Sequence, residues 1–159
     1  MYNSSCFYRY SVVDLNQLTE NLGGDADYAE SVLRAFLKSS IHAIPTGKQT
    51  SMAAFNQPSF ILGTIREDQP WSLTNAYSKP VWIGGQKTDY VEKSIDQLDS
   101  YFEQMNELYG TPQNMNIHFC QVGDQELPYL EKIGQKHASL TAFIKQIGEE
   151  INERHSASV

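Results

Sequence analysis

Between residues 88 and 110 the chain spells out one long amphipathic helix, and that helix constrains what the rest can fold into. Val91, Ile95, Leu98, Phe102, Met105 and Tyr109 recur at helical spacing, over about five turns. Thr88 stands where an N-cap belongs, and Gly110 stands where a helix of this kind stops. Asp89, Glu92, Asp96, Asp99, Glu103 and Glu107 line the flank. An apolar stripe of that length has to be covered by another layer of structure. With 159 residues and 40% hydrophobic content the chain can bury one sizeable core, which predicts a single domain over 1–159.

The other elements follow from the same signals. Alternation from Cys6 to Val13 predicts a strand. Asp14 caps a short helix carrying Leu15, Leu18 and Leu22, which Gly23-Gly24 stops; Asp25 opens a second helix through Ala29, Val32, Leu33, Phe36, Leu37, Ser40 and Ile41, which Pro45 and Gly47 break. Thr50–Phe55, Ser59–Arg66 and Trp71–Tyr77 read as strands, separated by the turns Asn56-Gln57-Pro58 and Glu67-Asp68-Gln69-Pro70. Gly84-Gly85 is the one hinge signal. Met115–Val122 reads as a further strand, and Ser139 starts a last helix with Leu140, Phe143, Ile144, Ile147 and Ile151. The order β-α-α-β-β-β-α-β-α predicts an α+β domain with a mainly antiparallel sheet.

No apolar run reaches the ~18 residues that a membrane span requires, and the N-terminus has no secretory pattern. Cys6 and Cys120 are too few for a disulfide framework and read as reduced, half-buried thiols of a cytoplasmic protein. The net charge of −7 argues at first against nucleic acid. Its distribution removes that objection. Residues 1–87 hold seven Lys or Arg (Arg9, Arg34, Lys38, Lys48, Arg66, Lys79, Lys87) against seven Asp or Glu, so the acidic excess belongs to residues 88–159. A local basic groove is compatible with this balance.

No catalytic constellation stands out. Gly47-Lys48 invites a phosphate-loop reading, but His42 occupies the position of the first glycine and Gln49 that of the Ser or Thr after the lysine. A phosphate loop also leads from strand into helix, whereas this joint leads from helix into strand. The Asp89–Glu107 stripe could in principle share a divalent metal, as nucleases require, yet nothing in sequence pairs with it and it flanks an apolar stripe as solvated charges do. His42, His118, His137 and His155 show no ligand spacing. No cofactor, metal or catalytic residue is assigned. The joint suits another chemistry: Lys48 can reach a phosphate as a point charge, Gln49 can hydrogen-bond a sugar or base edge, and Phe7, Tyr8, Tyr10 and Phe55 offer stacking faces. From spacing alone, these aromatics serve equally well as core.

Several blocks taken together carry a resemblance. They are Cys6-Phe7-Tyr8-Arg9-Tyr10, Leu15-Asn16-Gln17-Leu18 and Glu20-Asn21-Leu22-Gly23-Gly24, then Ile44-Pro45-x-Gly47-Lys48-Gln49 and Ala53-Ala54-Phe55-Asn56-x-Pro58, and finally Ser72-Leu73-x-Asn75-Ala76-Tyr77-x-Lys79-Pro80-Val81. In order and spacing this resembles the C-terminal half of the multi-copy backbone subunit of type I-E CRISPR Cascade complexes, over residues 1–83. Residues 84–159 follow as an acidic helical part. Subunits of that family stack as a filament along a guide RNA, each with a modified RNA-recognition (ferredoxin-like) sheet as its palm.

The resemblance therefore implies a partial RNA-recognition-like α+β fold and a non-catalytic role in antiviral defence. It implies guide RNA (crRNA), neighbouring copies and other Cascade subunits as partners, with no membrane. It places Lys48 and Gln49 at the guide backbone, with Thr50, Asn56 and Lys79 as further contacts. Nothing matches the family's N-terminal half with its finger and thumb, so the resemblance implies one piece of a larger subunit: a split gene product, a proteolytic fragment or an expressed part. Open sheet edges left by missing strands could pair with a second copy. The alternative is a protein–protein interaction half-domain, or oligomerising fragment, that does not touch RNA.

Overall fold

The computed structural model describes residues 6–43, 56–82, 84, 89–112 and 114–157. Among them run five α-helices, three strands and a 3₁₀ turn. In chain order these are α1 (Leu15–Asn21), α2 (Ala26–His42), β1 (Phe60–Ile65), the 3₁₀ turn (Thr74–Tyr77), α3 (Tyr90–Tyr109), β2 (Asn116–Gln121), α4 (Pro128–Ile133), β3 (Gln135–Lys136) and α5 (Leu140–Ala157). The fold is α+β, with a small mixed sheet in the order β1-β2-β3, consistent with a partial ferredoxin-like sheet. The chain divides into two compact units: residues 1–12 with 62–136, and residues 13–61 with 137–159. No helix among the described residues is long and apolar enough to cross a membrane.

Local chemistry sets the helix starts. The carboxylates of Asp14, Asp25 and Asp89 accept from the amides of Gln17 (3.0 Å), Tyr28 (2.9 Å) and Glu92 (2.8 Å), and the Ser139 hydroxyl accepts from Ala142 (3.1 Å). Each satisfies an amide that the helix leaves without a partner, worth about 1 kcal/mol. The cap of α3 is thus Asp89, one residue beyond Thr88. At the end of α1 the amide of Gly24 reaches Thr19 O (2.9 Å) and that of Gly23 reaches Glu20 O (3.0 Å). That reversal needs φ of 78° at Gly23, which glycine adopts without strain. α2 ends at His42, ahead of Pro45, as the proline requires.

In the first unit, α3 turns Ile95, Leu98 and Phe102 inward, where they join Ile117, Phe119, Leu127 and Leu130 in the core. The rings of Phe102 and Tyr129 meet edge to face at 6.1 Å. In β2 the residues Ile117, His118, Phe119 and Cys120 are all buried, as in a strand covered on both faces. Burial pushes the Cys120 thiol up, which favours its protonated form. β2 pairs with β3 in parallel, through His118–Gln135 and Phe119–Lys136. This departs from the expected antiparallel pattern because residues 122–134 supply the long, helix-bearing crossover that a parallel pair needs. In the second unit α2 packs on α5 and α1 on α2, with Ala29, Leu33, Phe143, Ile147 and Ile151 buried.

Three strand readings stand differently. Ser59–Arg66 holds as β1. Residues 6–13 form no strand: the alternation is there, but no neighbouring strand supplies a ladder among the described residues. Trp71–Tyr77 is also not a strand; its buried Leu73 and Ala76 lie three residues apart, and the segment closes into the 3₁₀ turn with Ala76 N on Leu73 O at 3.0 Å. The predicted strand Thr50–Phe55 and the Gly84-Gly85 hinge, through Gly85, lie outside the described residues.

Candidate nucleic-acid interface

The aromatic N-terminal segment lies against the Ser72–Tyr77 block within the first unit. The amide of Leu73 donates to the Tyr8 hydroxyl (3.1 Å), and the rings of Tyr8 and Tyr77 meet at 5.6 Å with a 53° tilt. The block is in turn stitched to α3: Tyr77 Oη donates to Ser94 O (3.1 Å), and Gln97 Nε2 donates to Ala76 O. Half-buried there, the Tyr77 hydroxyl is pushed up to about 12, first by burial and then by the neighbouring Tyr8 and Cys6. Leu73, Ala76 and Tyr77 are therefore architecture.

What surrounds this block faces solvent. Phe7 is 87% exposed and Tyr10 46% exposed. The same segment that sequence alternation would bury thus presents two aromatic faces, while Tyr8 between them anchors it. Lys79 is exposed just beyond the 3₁₀ turn. Trp82 is 81% exposed and its indole lies over Gly84, where a Cβ would sit 3.3 Å from Nε1. Trp82 was not among the sequence candidates. Its signal was an aromatic placed after the Lys79-Pro80-Val81 turn, outside any periodic segment.

Arg66 is committed internally. Its guanidinium makes two 2.7 Å hydrogen bonds to the Asp68 carboxylate and stacks 3.9 Å from the Trp71 ring centroid. Those bonds hold the Asp68 carboxyl below the usual carboxylate range. Trp71 leans on Tyr109 at 5.8 Å, closing the stack.

Of the predicted contacts, Lys79 belongs to the first unit and Asn56 to the second, both exposed. Lys48, Gln49, Thr50 and the aromatic Phe55 lie outside the described residues. Three carboxylates of the acidic α3 stripe have structural partners. Asp89 caps its own helix, Lys93 Nζ lies 3.8 Å from Asp96, and buried Asp99 accepts from the amides of Tyr129 (3.1 Å) and Leu130 (2.8 Å). These amides begin α4, whose own N-cap Leu127 offers no side-chain acceptor. Among the described residues no three His, Cys, Asp or Glu side chains stand close enough together to hold a metal ion. Neither cysteine is half-buried as expected: Cys6 is exposed and Cys120 is buried.

The model of a family described as "CT1975-like protein" matches residues 1–146. No curated protein matches the chain. Among solved structures, a chain described as "CRISPR RNA-guided surveillance complex" is 25% identical and superposes with a TM-score of 0.75, covering 87% of this chain and 50% of that one. A second, from a "CRISPR RNA-guided surveillance complex, pre-nicking", is 25% identical with a TM-score of 0.76, covering 87% of this chain and 36% of that one. The chain thus spans half or less of the length of these structural relatives.

Proposed function

We propose that this chain, which belongs to the CT1975-like protein family, is the palm-forming part of a type I-E CRISPR backbone subunit, one that holds a guide RNA by its sugar–phosphate backbone. The observation that carries this reading is the exposure of Phe7 and Tyr10 on a segment pinned by Tyr8 to the Ser72–Tyr77 block. Exposed aromatic faces stack bases whatever their sequence, at about 1–3 kcal/mol per base. Lys79 beside the same block serves a phosphate as a point charge. On the strength of the block resemblance, Lys48, Gln49, Thr50 and Asn56 are further guide contacts. The type I-E assignment has the same support.

In this role the chain works in the cytoplasm as a structural, non-catalytic subunit. Target recognition is left to base pairing by the guide. Neighbouring copies and other subunits of the complex are its protein partners, and β1, an edge of the sheet among the described residues, is available for pairing between copies.

A gel-shift titration of the chain with single-stranded RNA tests the reading. Binding is expected at low salt, and it should weaken at least tenfold between about 50 and 200 mM salt. The double variant Phe7→Ala/Tyr10→Ala should lose a further tenfold or more. Lys48→Glu in the complete subunit should weaken guide binding and assembly; an unchanged affinity would remove Lys48 from the site. If RNA leaves the chain unshifted at low salt while the chain forms stable oligomers, the protein-interaction reading replaces this one. The observation on that side is the exposure of Leu108 and Tyr109 at the end of acidic α3.

A further inference from the structure

Helices α2 and α5, both within the second unit, leave a groove of about 410 Å³ between them. Arg34, Lys38 and His42 form its α2 wall. They are spaced by four residues, so they stand on one face of three successive turns and span about 12 Å along the helix. Lys145 and Thr141 line it from α5, with Leu140 and Ile144 as the apolar part of the lining.

Two of the cations are held in place. Arg34 is ion-paired with Glu30, a carboxylate buried between the helices, and Lys145 Nζ lies 3.4 Å from Glu149. The Glu30–Arg34 pair fits only because residue 148 is glycine: a Cβ there would fall on both the guanidinium and the carboxylate. Lys38 is exposed and makes no ion pair or hydrogen bond among the described residues. The unit as a whole is acidic. With Arg34, Lys38, Lys48, Lys145 and Arg154 against Asp14, Glu20, Asp25, Asp27, Glu30, Glu149, Glu150 and Glu153, its formal charge is 5 − 8 = −3. Within that acidic unit, three cations and a histidine line one opening, and Lys38 among them has no carboxylate partner among the described residues.

We propose that the α2–α5 groove is a second binding site, for the phosphate backbone of single-stranded nucleic acid. It rests on the reading of this chain as part of an RNA-guided complex and adds a contact region independent of Phe7, Tyr10 and the Lys48 joint. The row from Arg34 to His42, about 12 Å long, runs beside a few successive phosphates of a single strand. Arg34, oriented by its buried carboxylate, and the exposed Lys38 and Lys145 act as phosphate partners, with Thr141 as a hydroxyl donor. Leu140 and Ile144 give sugars an apolar surface. An acidic amphipathic helix from another protein would need a continuous apolar seam of its own length, and two side chains do not provide one.

The test compares three forms of the full chain by fluorescence anisotropy with single-stranded RNA and DNA 12-mers over a salt series. Lys38→Gln/Lys145→Gln, both exposed positions, should weaken binding and reduce the slope of log K against log salt by about 1.4, two phosphate contacts at ~0.7 each for a single strand. Phe7→Ala/Tyr10→Ala should weaken binding with the slope unchanged. Loss of affinity in the aromatic variant alone, with the lysine variant identical to wild type, overturns the groove and leaves the guide-binding reading standing. No binding by wild type at low salt overturns both. Lysine-acetylation footprinting separates the possible occupants. Protection of Lys38 by the 12-mer, with Lys93 and Lys132 unprotected, supports the proposal. Better protection by poly-glutamate of equal charge overturns it in favour of an acidic protein partner.

Discussion

Asp99 and Glu30 are both carboxylates buried under a helix pair, one in each compact unit, and they are satisfied in different ways. Asp99 gives both oxygens to backbone amides, those of Tyr129 and Leu130, and so serves as the missing cap of α4. Glu30 gives its charge to a side chain, Arg34, whose guanidinium stands at the edge of the α2–α5 groove. A carboxylate bound to amides fixes one backbone geometry and leaves nothing for a ligand. One bound to a guanidinium fixes the direction of a group that still has donors to offer. The first unit spends its buried charge on architecture, and the second aims its own at an opening.

The sharpest way to break that contrast is to remove Asp99. Asp99→Ala strands two buried amides at the start of α4 and opens a gap beneath it, at an expected cost of about 3 kcal/mol. Asp99→Asn, which keeps one acceptor, should cost roughly half as much. Urea unfolding followed by far-UV circular dichroism measures both. A loss for Asp99→Ala below about 0.5 kcal/mol would mean that α4 does not depend on this carboxylate.

Glycine substitutions probe the same contrast at smaller scale. Gly134 closes α4 with φ −128°, a conformation open to any residue, so the obstacle there is space. A Cβ would lie 2.8 Å from Ile117 Cγ2 and 3.0 Å from the Leu130 carbonyl oxygen. Neither can retreat, because one belongs to buried β2 and the other to backbone. Gly134→Ala should therefore destabilise the chain by about 1–3 kcal/mol, measured in the same unfolding experiment. An unchanged midpoint would show that the β2–α4 packing is looser than these distances state.

How far the sequence reveals each unit follows from the range of the interactions involved. The caps Asp14, Asp25 and Ser139 were legible because each bond spans three residues, and α3 was legible because its stripe repeats without interruption. Thr88 and Asp89 are both capable caps, and adjacency alone does not choose between them. α4 and β3 were missed because Pro128–Ile133 is too short for a periodic signal and its cap comes from Asp99, some thirty positions away. The strand expected at residues 6–13 failed because alternation describes side chains while a strand also needs a neighbour. In the candidate site, exposure of Phe7 and Tyr10 was invisible to a pattern that serves core and interface alike. The Arg34-Lys38-His42 row was not singled out, because what gives it meaning is an opposing wall at Thr141 and Lys145 about a hundred residues further on.

The smallest expected effect belongs to Gly148, and it sharpens the comparison. A Cβ at this position would meet only the far ends of Arg34 and Glu30, groups that can swing aside, unlike the backbone carbonyl facing Gly134. Alanine also favours the interior of α5 over glycine by about 1 kcal/mol. Displacing the ion pair costs a similar amount, because part of its burial is lost. Gly148→Ala should thus leave stability within about 0.5 kcal/mol of wild type. Its consequence should appear in the groove: with Arg34 pushed off its carboxylate, the 12-mer should bind more weakly and with a shallower salt slope. A stable variant with altered binding would separate the two uses of buried charge, because in the first unit the corresponding glycine cannot be changed without unfolding cost. A strongly destabilised variant with unaltered binding would instead place Glu30 and Arg34 beside Asp99, as architecture.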